Sequence, residues 1–169
     1  MSHVLVLLRH GIAEEPARDQ PDEDRALTAE GRQRMRDVAR GLKEIGAAPG
    51  LILTSPLLRA RQTAEILREH AAPDAKLSVY DALDNTHPPE EMLARLPKTR
   101  AETIALVGHQ PSMGELASYL LTGSPVLVPL PFKKAAAAAI SVQTLPPRTP
   151  GILEWFLTPR LLRALGGAS

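Results

Sequence analysis

Three short stretches carry residues able to grip and attack an anion: Arg9-His10-Gly11, Ser55 through Arg59, and Gly108-His109. Guanidinium groups offer forked N–H donors that match the oxygens of a tetrahedral phosphate. A neutral imidazole can attack phosphorus, while a second, protonated imidazole can stabilise the equatorial oxygens as charge redistributes. Two histidines and two arginines therefore suit phosphoryl transfer through a covalent phosphohistidine. Singly, each residue has an ordinary reading, Arg9 as a strand-end cation snorkelling to solvent and His10 as a turn histidine. The argument rests on the three stretches sharing one structural context.

That context is the end of a strand. Val4-Leu5-Val6-Leu7-Leu8 reads as a strand buried on both faces, as in the middle of a parallel sheet, and it runs directly into Arg9-His10. Gly11 is expected to let the backbone turn there and approach a ligand. Leu51-Ile52-Leu53-Thr54 is a second strand, with Ser55 and Pro56 as N-cap and first residue of a helix to about His70. Thr103 to Val107 is another, followed by Gly108-His109 and a helix capped by Ser112 that runs to about Leu121. Parallel strands present their carboxyl ends along one edge, so these residues can converge in one crevice. Arg59 falls in the first helical turn, where the macrodipole disfavours a cation by about 0.3–1 kcal/mol. An anion docked at that helix terminus would remove the conflict.

The remaining segments supply the frame. Ile12 to Arg25 is acidic, contains proline and lacks apolar periodicity, so it reads as a loop over the mouth of the first strand. Thr28 caps a helix whose buried stripe is Met35, Val38, Ala39 and Leu42 and which ends at Gly46. Its arginines, Arg32, Arg34, Arg36 and Arg40, alternate with acids and read as a solvated face. In the following helix Leu57, Ala60, Ala64 and Leu67 form the buried stripe. Lys76 to Val79 is a strand, Asp81 to Pro89 a loop, and Pro89 to Leu96 a short helix. Ala136 to Gln143 and Gly151 to Leu157 pair as an antiparallel edge hairpin around Pro146 to Pro150. The expected fold class is α/β, a three-layer α/β/α sandwich with a mostly parallel sheet, as one domain over residues 1–169.

Composition narrows the function classes. The chain has 169 residues, 44% hydrophobic, and a formal net charge of +1, which argues against broad adhesion to nucleic acid or an anionic membrane. With no cysteine, thiolate catalysis and cysteine-based zinc sites are excluded. No histidine pair has helical ligand spacing, and there is neither a phosphate loop nor a dinucleotide fingerprint, so no metal, cofactor or ATP is expected. His3, His70 and His87 match no motif and read as structural or surface residues. The absence of an N-terminal targeting pattern and of long apolar runs leads to the expectation of a cytoplasmic protein.

The three junctions, including Ser55-Pro56-Leu57-Leu58-Arg59-Ala60-Arg61-Gln62-Thr63, together resemble the histidine phosphatase, or phosphoglycerate mutase-like, superfamily. The resemblance implies His10 as nucleophile and Arg9, Arg59 and His109 as the phosphate pocket. Arg25, in Arg25-Ala26-Leu27-Thr28, resembles a further pocket arginine of the short SixA-type members. Larger relatives insert a helical cap between the second and last motifs, whereas Arg59 and His109 stand only 50 positions apart here. Mutase-like members also continue from the triplet to an asparagine, where this chain has Ile12-Ala13-Glu14-Glu15-Pro16. The tryptophan-containing strand followed by proline, Trp155 to Pro159, is similar to SixA-type phosphohistidine phosphatases. The implied substrate is a phosphorylated histidine on a signalling or phosphotransfer protein. Small phosphate esters or phosphoserine and phosphothreonine proteins are the alternative, and a noncatalytic phosphoprotein-binding module ranks below both. The loop that carries the general acid in larger relatives falls near Asp84. Because His10 must be neutral to attack, activity is expected to fall as the imidazole range is crossed towards acid.

Overall fold

Alternation along the first strand sets the layers. In β1 (His3–Arg9), Leu5 and Leu7 face one hydrophobic core while Val6 and Leu8 face another, and all four are fully buried. A computed structural model describes residues 2–168, and within them β1 lies inside a six-stranded sheet. The others are β2 (Leu51–Thr54), β3 (Lys76–Val79), β4 (Thr103–Gly108), β5 (Ala137–Val142) and β6 (Ile152–Leu157). The spatial order is β3-β2-β4-β1-β5-β6. The first four strands run parallel, β5 is antiparallel to β1, and β6 is antiparallel to β5.

Helices cover both faces. On one, α1 (Ala29–Glu44), α2 (Leu58–Ala71) and α5 (Pro159–Leu165) pack over Val6, Leu8, Ala105 and Val107, contributing Met35, Leu42, Leu67 and Leu162. On the other, α3 (Pro89–Ala94) and α4 (Ser112–Thr122) bring Met92, Met113, Leu116 and Leu120 against Leu5, Leu7 and Leu106, with Phe132 among them. This is the expected sandwich with its antiparallel edge hairpin. Among the described residues no helix is long and apolar enough to cross a membrane.

Several local expectations are corrected. Ser55 does not cap α2; the helix starts at Leu58 behind an extended Leu57, and the Ser55 oxygen, which accepts the Leu57 N–H, also bonds His109. Ser112 is the first residue of α4 rather than its cap, and its hydroxyl donates to Asn85 Oδ1 at 2.8 Å. Leu57 is only half-buried. The short helix stops at Ala94. Single 3₁₀ turns form at Asp22–Asp24 and Asp81–Leu83, inside segments read as loop. Helix α5 has no counterpart in the reading of periodicity, because seven residues give too short a window. Its start does carry a signature: Thr158 Oγ1 accepts the Leu161 N–H, with Pro159 next to the cap.

Gly11 also proves ordinary. Its φ is not positive, and an added Cβ would lie 3.5 Å from its nearest neighbours, normal van der Waals contact. At this turn the glycine that must lack a side chain is Gly31 on α1, where a Cβ would collide with the Ile12 carbonyl. That close approach seats α1 directly under the turn after β1. Ile12 O also accepts the Thr28 N–H at 3.0 Å, and the Ala13–Leu27 bridge closes the base of the acidic loop.

Candidate active site

The sheet brings the strand ends together as parallel pairing requires. Arg9 is in register with Gly108, and the His10 N–H donates to Gly108 O at 2.9 Å. His10 and His109 consequently sit side by side, ring centroids 5.2 Å apart at an angle of 56°, both buried. From the antiparallel side, the segment before β5 closes on the same edge. The Ala135 N–H donates to Arg9 O and His10 O, and Phe132 O accepts from Arg9 Nη1 at 2.8 Å. Helix α2 is attached through Thr63, whose Oγ1 accepts the Gly11 N–H and donates to Arg59 O.

The two imidazoles are held by opposite nitrogens. His10 Nδ1 lies 2.7 Å from Gly11 O, a pure acceptor, so Nδ1 carries the proton and Nε2 keeps its lone pair, with no hydrogen bond to it among the described residues. His109 Nε2 lies 2.7 Å from Ser55 Oγ, while its Nδ1 is buried without a partner. The Ser55 oxygen accepts the Leu57 N–H at 3.2 Å, and when it donates its own proton to His109 Nε2 the ring proton sits on Nδ1. In that arrangement His109 Nδ1 is an unpaired buried donor, a costly group that an incoming anion would satisfy.

Burial and surrounding cations keep both rings neutral. Burial, then the neighbouring His109, Arg59 and Arg9, push the His10 pKa down to about 3 against the opposing pull of its Gly11 bond. For His109, burial and then Arg59 and Arg9 push it down to about 4, with Asp22 and Asp84 pulling the other way. The expected acid limb in the ordinary imidazole range therefore moves below it, first because burial disfavours the charged rings and then because Arg59 and Arg9 lie nearby.

Arg59 is 6% exposed, buried as an arginine rarely is without a partner. Its partner is Asp22, whose carbonyl accepts from Nη1 at 2.9 Å and whose Oδ2 accepts from Nη2 at 3.1 Å. Arg25 Nε donates to the other carboxylate oxygen at 2.8 Å and Arg25 Nη1 to Glu14 O. One carboxylate thus bridges the two arginines. Although partial burial opposes ionisation, the hydrogen bonds from Arg25 and Arg59 hold Asp22 below the usual carboxylate range. Nothing in the pattern of an acidic loop marks Asp22 off from Glu23 or Asp24; only the fold of the 3₁₀ turn selects it.

Residues 5–88 match the histidine phosphatase superfamily (branch 1). An uncharacterized protein of Picosynechococcus sp. is 42% identical over 122 residues, which cover 70% of this chain and 73% of that protein. The chain belongs to the histidine phosphatase superfamily. Among solved structures, the protein histidine phosphatase SixA complexed with tungstate is 25% identical with a TM-score of 0.81, over 94% of this chain and 99% of that one. A protein assigned as the phosphohistidine phosphatase SixA from Agrobacterium tumefaciens is 26% identical with a TM-score of 0.76, over 93% and 98%. As a member of this superfamily the protein is a hydrolase with phosphatase activity.

In this histidine phosphatase, Asp84 stands apart from the other candidates. Its Oδ1 accepts from the Thr86 N–H at 2.9 Å and the Thr86 hydroxyl at 2.7 Å, and it lies 2.8 Å from His87 Nδ1. Partial burial opposes ionisation, but these bonds from Thr86 and His87 hold the carboxyl below its usual range. A proton donor at neutral pH needs the opposite shift. The loop is fixed from its far side too, since Asn85 Oδ1 accepts from the Ser112 N–H and hydroxyl. Among the described residues no three His, Cys, Asp or Glu side chains gather as a metal-ligand set.

Proposed function

We propose that this phosphatase removes the phosphoryl group from phosphohistidine on a protein, with His10 as the nucleophile. His10 Nε2 attacks phosphorus in line with the departing group, the P–N bond to the substrate breaks as the new P–N bond forms, and water then hydrolyses the phosphoenzyme. Arg9, Arg59 and Arg25 bind the oxygens, and His109 donates from Nδ1. Asp22 must release Arg59 and Arg25 as the phosphoryl group takes its place.

The hydrogen bonds that hold Asp84 Oδ1 as an acceptor for Thr86, with His87 beside it, are the observation that favours a nitrogen leaving group. An ester oxygen departs poorly without a general acid, whereas phosphohistidine can arrive with its leaving imidazole already protonated. Access is consistent with a macromolecular substrate. Between β3 and β4 the chain forms only a 3₁₀ turn and the six-residue α3, leaving no cap over the strand ends. The likeness to the two SixA structures supports the same reading.

Rapid-quench trapping with a labelled phosphohistidine protein tests it. Acid-labile label is expected on the wild type, with release of phosphate, and none on His10→Ala. Turnover without His10-dependent label would replace the covalent route by direct water attack, and tight binding without turnover would turn the pocket into a recognition module. Faster turnover of phosphoserine than phosphohistidine peptides would reassign the substrate.

A further inference from the structure

The rim of the site is electrically divided. On one side the Ile12 to Arg25 loop carries Glu14, Glu15, Asp19, Asp22, Glu23 and Asp24. On the other, a trough of about 320 Å³ opens beside Arg9 and Gly11 and is lined by Arg34 of α1, Lys133 and Lys134 before β5, and Arg163 of α5. No carboxylate lines it. Arg34 pairs with Glu30 at 2.7 Å; among the described residues Lys133, Lys134 and Arg163 have no carboxylate within salt-bridge reach. In a chain of net charge +1 this concentration is local.

The lysines are held by backbone rather than by their side chains. Phe132 and Ala135 on either side are buried, with Phe132 O bound to Arg9 and the Ala135 N–H bound to the carbonyls of Arg9 and His10. Lys133 and Lys134 therefore project, exposed, from a segment fixed to the same strand end as the nucleophile. Their ammonium groups are free to meet a ligand while their position relative to His10 is set.

Resting on the phosphoprotein reading above, we propose that this trough docks an acidic segment of the substrate protein, carboxylates close to the phosphorylated residue. A small second anion would need a buried, hydrogen-bonded cation to replace its hydration, and Arg9, half-buried and bonded to the Phe132 carbonyl, already belongs to the proposed phosphoryl site. Cations from three separate segments, Arg34, Lys133 and Lys134 exposed and Arg163 half-buried, each contribute little and act together on a partner bearing several carboxylates, through encounter rate and orientation. The acidic loop opposite repels the same segment, so the two sides jointly select which way the substrate chain crosses the mouth.

The test uses two phosphohistidine peptides of equal length, one flanked by Asp and Glu, the other by Ser and Gln. At low salt the wild type is expected to favour the acidic peptide by about tenfold in kcat/KM, mainly through KM, with the preference shrinking as salt rises. Lys133→Glu/Lys134→Glu should abolish or invert it while leaving kcat on the neutral peptide within about twofold; Lys133→Ala/Lys134→Ala, a milder change, should reduce it partway. Equal kcat/KM for both peptides on the wild type overturns the proposal, as does a preference that survives charge reversal. Equal losses on both peptides would place the lysines in phosphoryl binding instead. A loss confined to a small bisphosphate relative to its monophosphate would assign the trough to a small ligand. The same pair in phosphoserine form separates the two readings: turnover of phosphoserine alone defeats the phosphohistidine reading while its flank preference still judges the trough. Failure of all four peptides defeats both.

Discussion

His10 and His109 occupy equivalent positions, each following a buried strand of the same parallel pair, yet the chain holds them by opposite nitrogens. His10 is anchored at Nδ1 by the Gly11 carbonyl, an acceptor that can only take a proton, and its Nε2 is left with a lone pair. His109 is anchored at Nε2 by Ser55 and keeps a buried, unpartnered Nδ1. A carbonyl anchor suits the proposed nucleophile; a hydroxyl anchor, able to donate, suits a ring proposed to present its proton to an anion. Two residues of one type thus become chemically distinct through a neighbour a single atom away.

Replacement of each ring should separate these roles most clearly. His10→Ala is expected to lower kcat by at least about 10⁴-fold with no phosphoenzyme formed, as removal of a covalent nucleophile does. His109→Ala should lower kcat by about 10² to 10³-fold while a slow phosphoenzyme still accumulates in rapid-quench experiments. Equal losses without intermediate in both variants would erase the distinction.

Ser55→Ala sharpens the comparison by removing only the anchor. A loss of about fivefold in kcat is expected, in line with one hydrogen bond, together with a changed His109 titration seen by NMR and an unchanged His10 signal. A merely structural role would not single out one ring. Asp22→Ala should act in the other direction, tightening inorganic phosphate by about twofold to fivefold in inhibition assays because Arg59 and Arg25 lose their internal anion. Weaker phosphate binding would instead make Asp22 a positioning residue for the arginines.

The smallest effect concerns pH and stability. Both rings are held neutral in the fold, at about 3 and about 4, below the ordinary histidine value of 6.5. The unfolded chain takes up protons first as pH falls, so the associated stability is complete above about 6.5 and is lost on the way down to 3 to 4. The wild-type Tm should drop by a few degrees between about pH 7 and 5, and less for His10→Gln. Over that range kcat/KM should show no step belonging to an enzyme histidine, since that profile reports the free enzyme.

Much of the framework was legible because it rests on local pattern. The run Val4 to Leu8 announces a strand buried on both faces, Thr28 a helix start, and the Pro146 to Pro150 stretch a hairpin turn, and each is found. Misreadings fell where a side chain had a choice of partners. Ser55 and Ser112 both have the chemistry of a helix cap, but His109 and Asn85 lie within reach only after the sheet has assembled. Gly11 seemed the necessary glycine, whereas the tight approach occurs at Gly31, a contact between α1 and the chain after β1 that no local pattern encodes.

What the amino-acid order determines is the inventory: strands ending in Arg9-His10, Ser55 and Gly108-His109, arginines at 25 and 59, and an acidic loop after the first strand. Hydrophobic alternation and strand-end composition are local properties, and they suffice to carry these residues to one edge. Which nitrogen of His109 is free, which of several loop carboxylates meets Arg59, and that Lys133 and Lys134 line a trough with Arg9 and Gly11 were decided by tertiary structure alone. Unlike the bond of His10 to the adjacent Gly11, those outcomes depend on distances of about 3 Å between residues remote in the chain, and hydrogen bonding and burial act on such distances without regard to sequence separation.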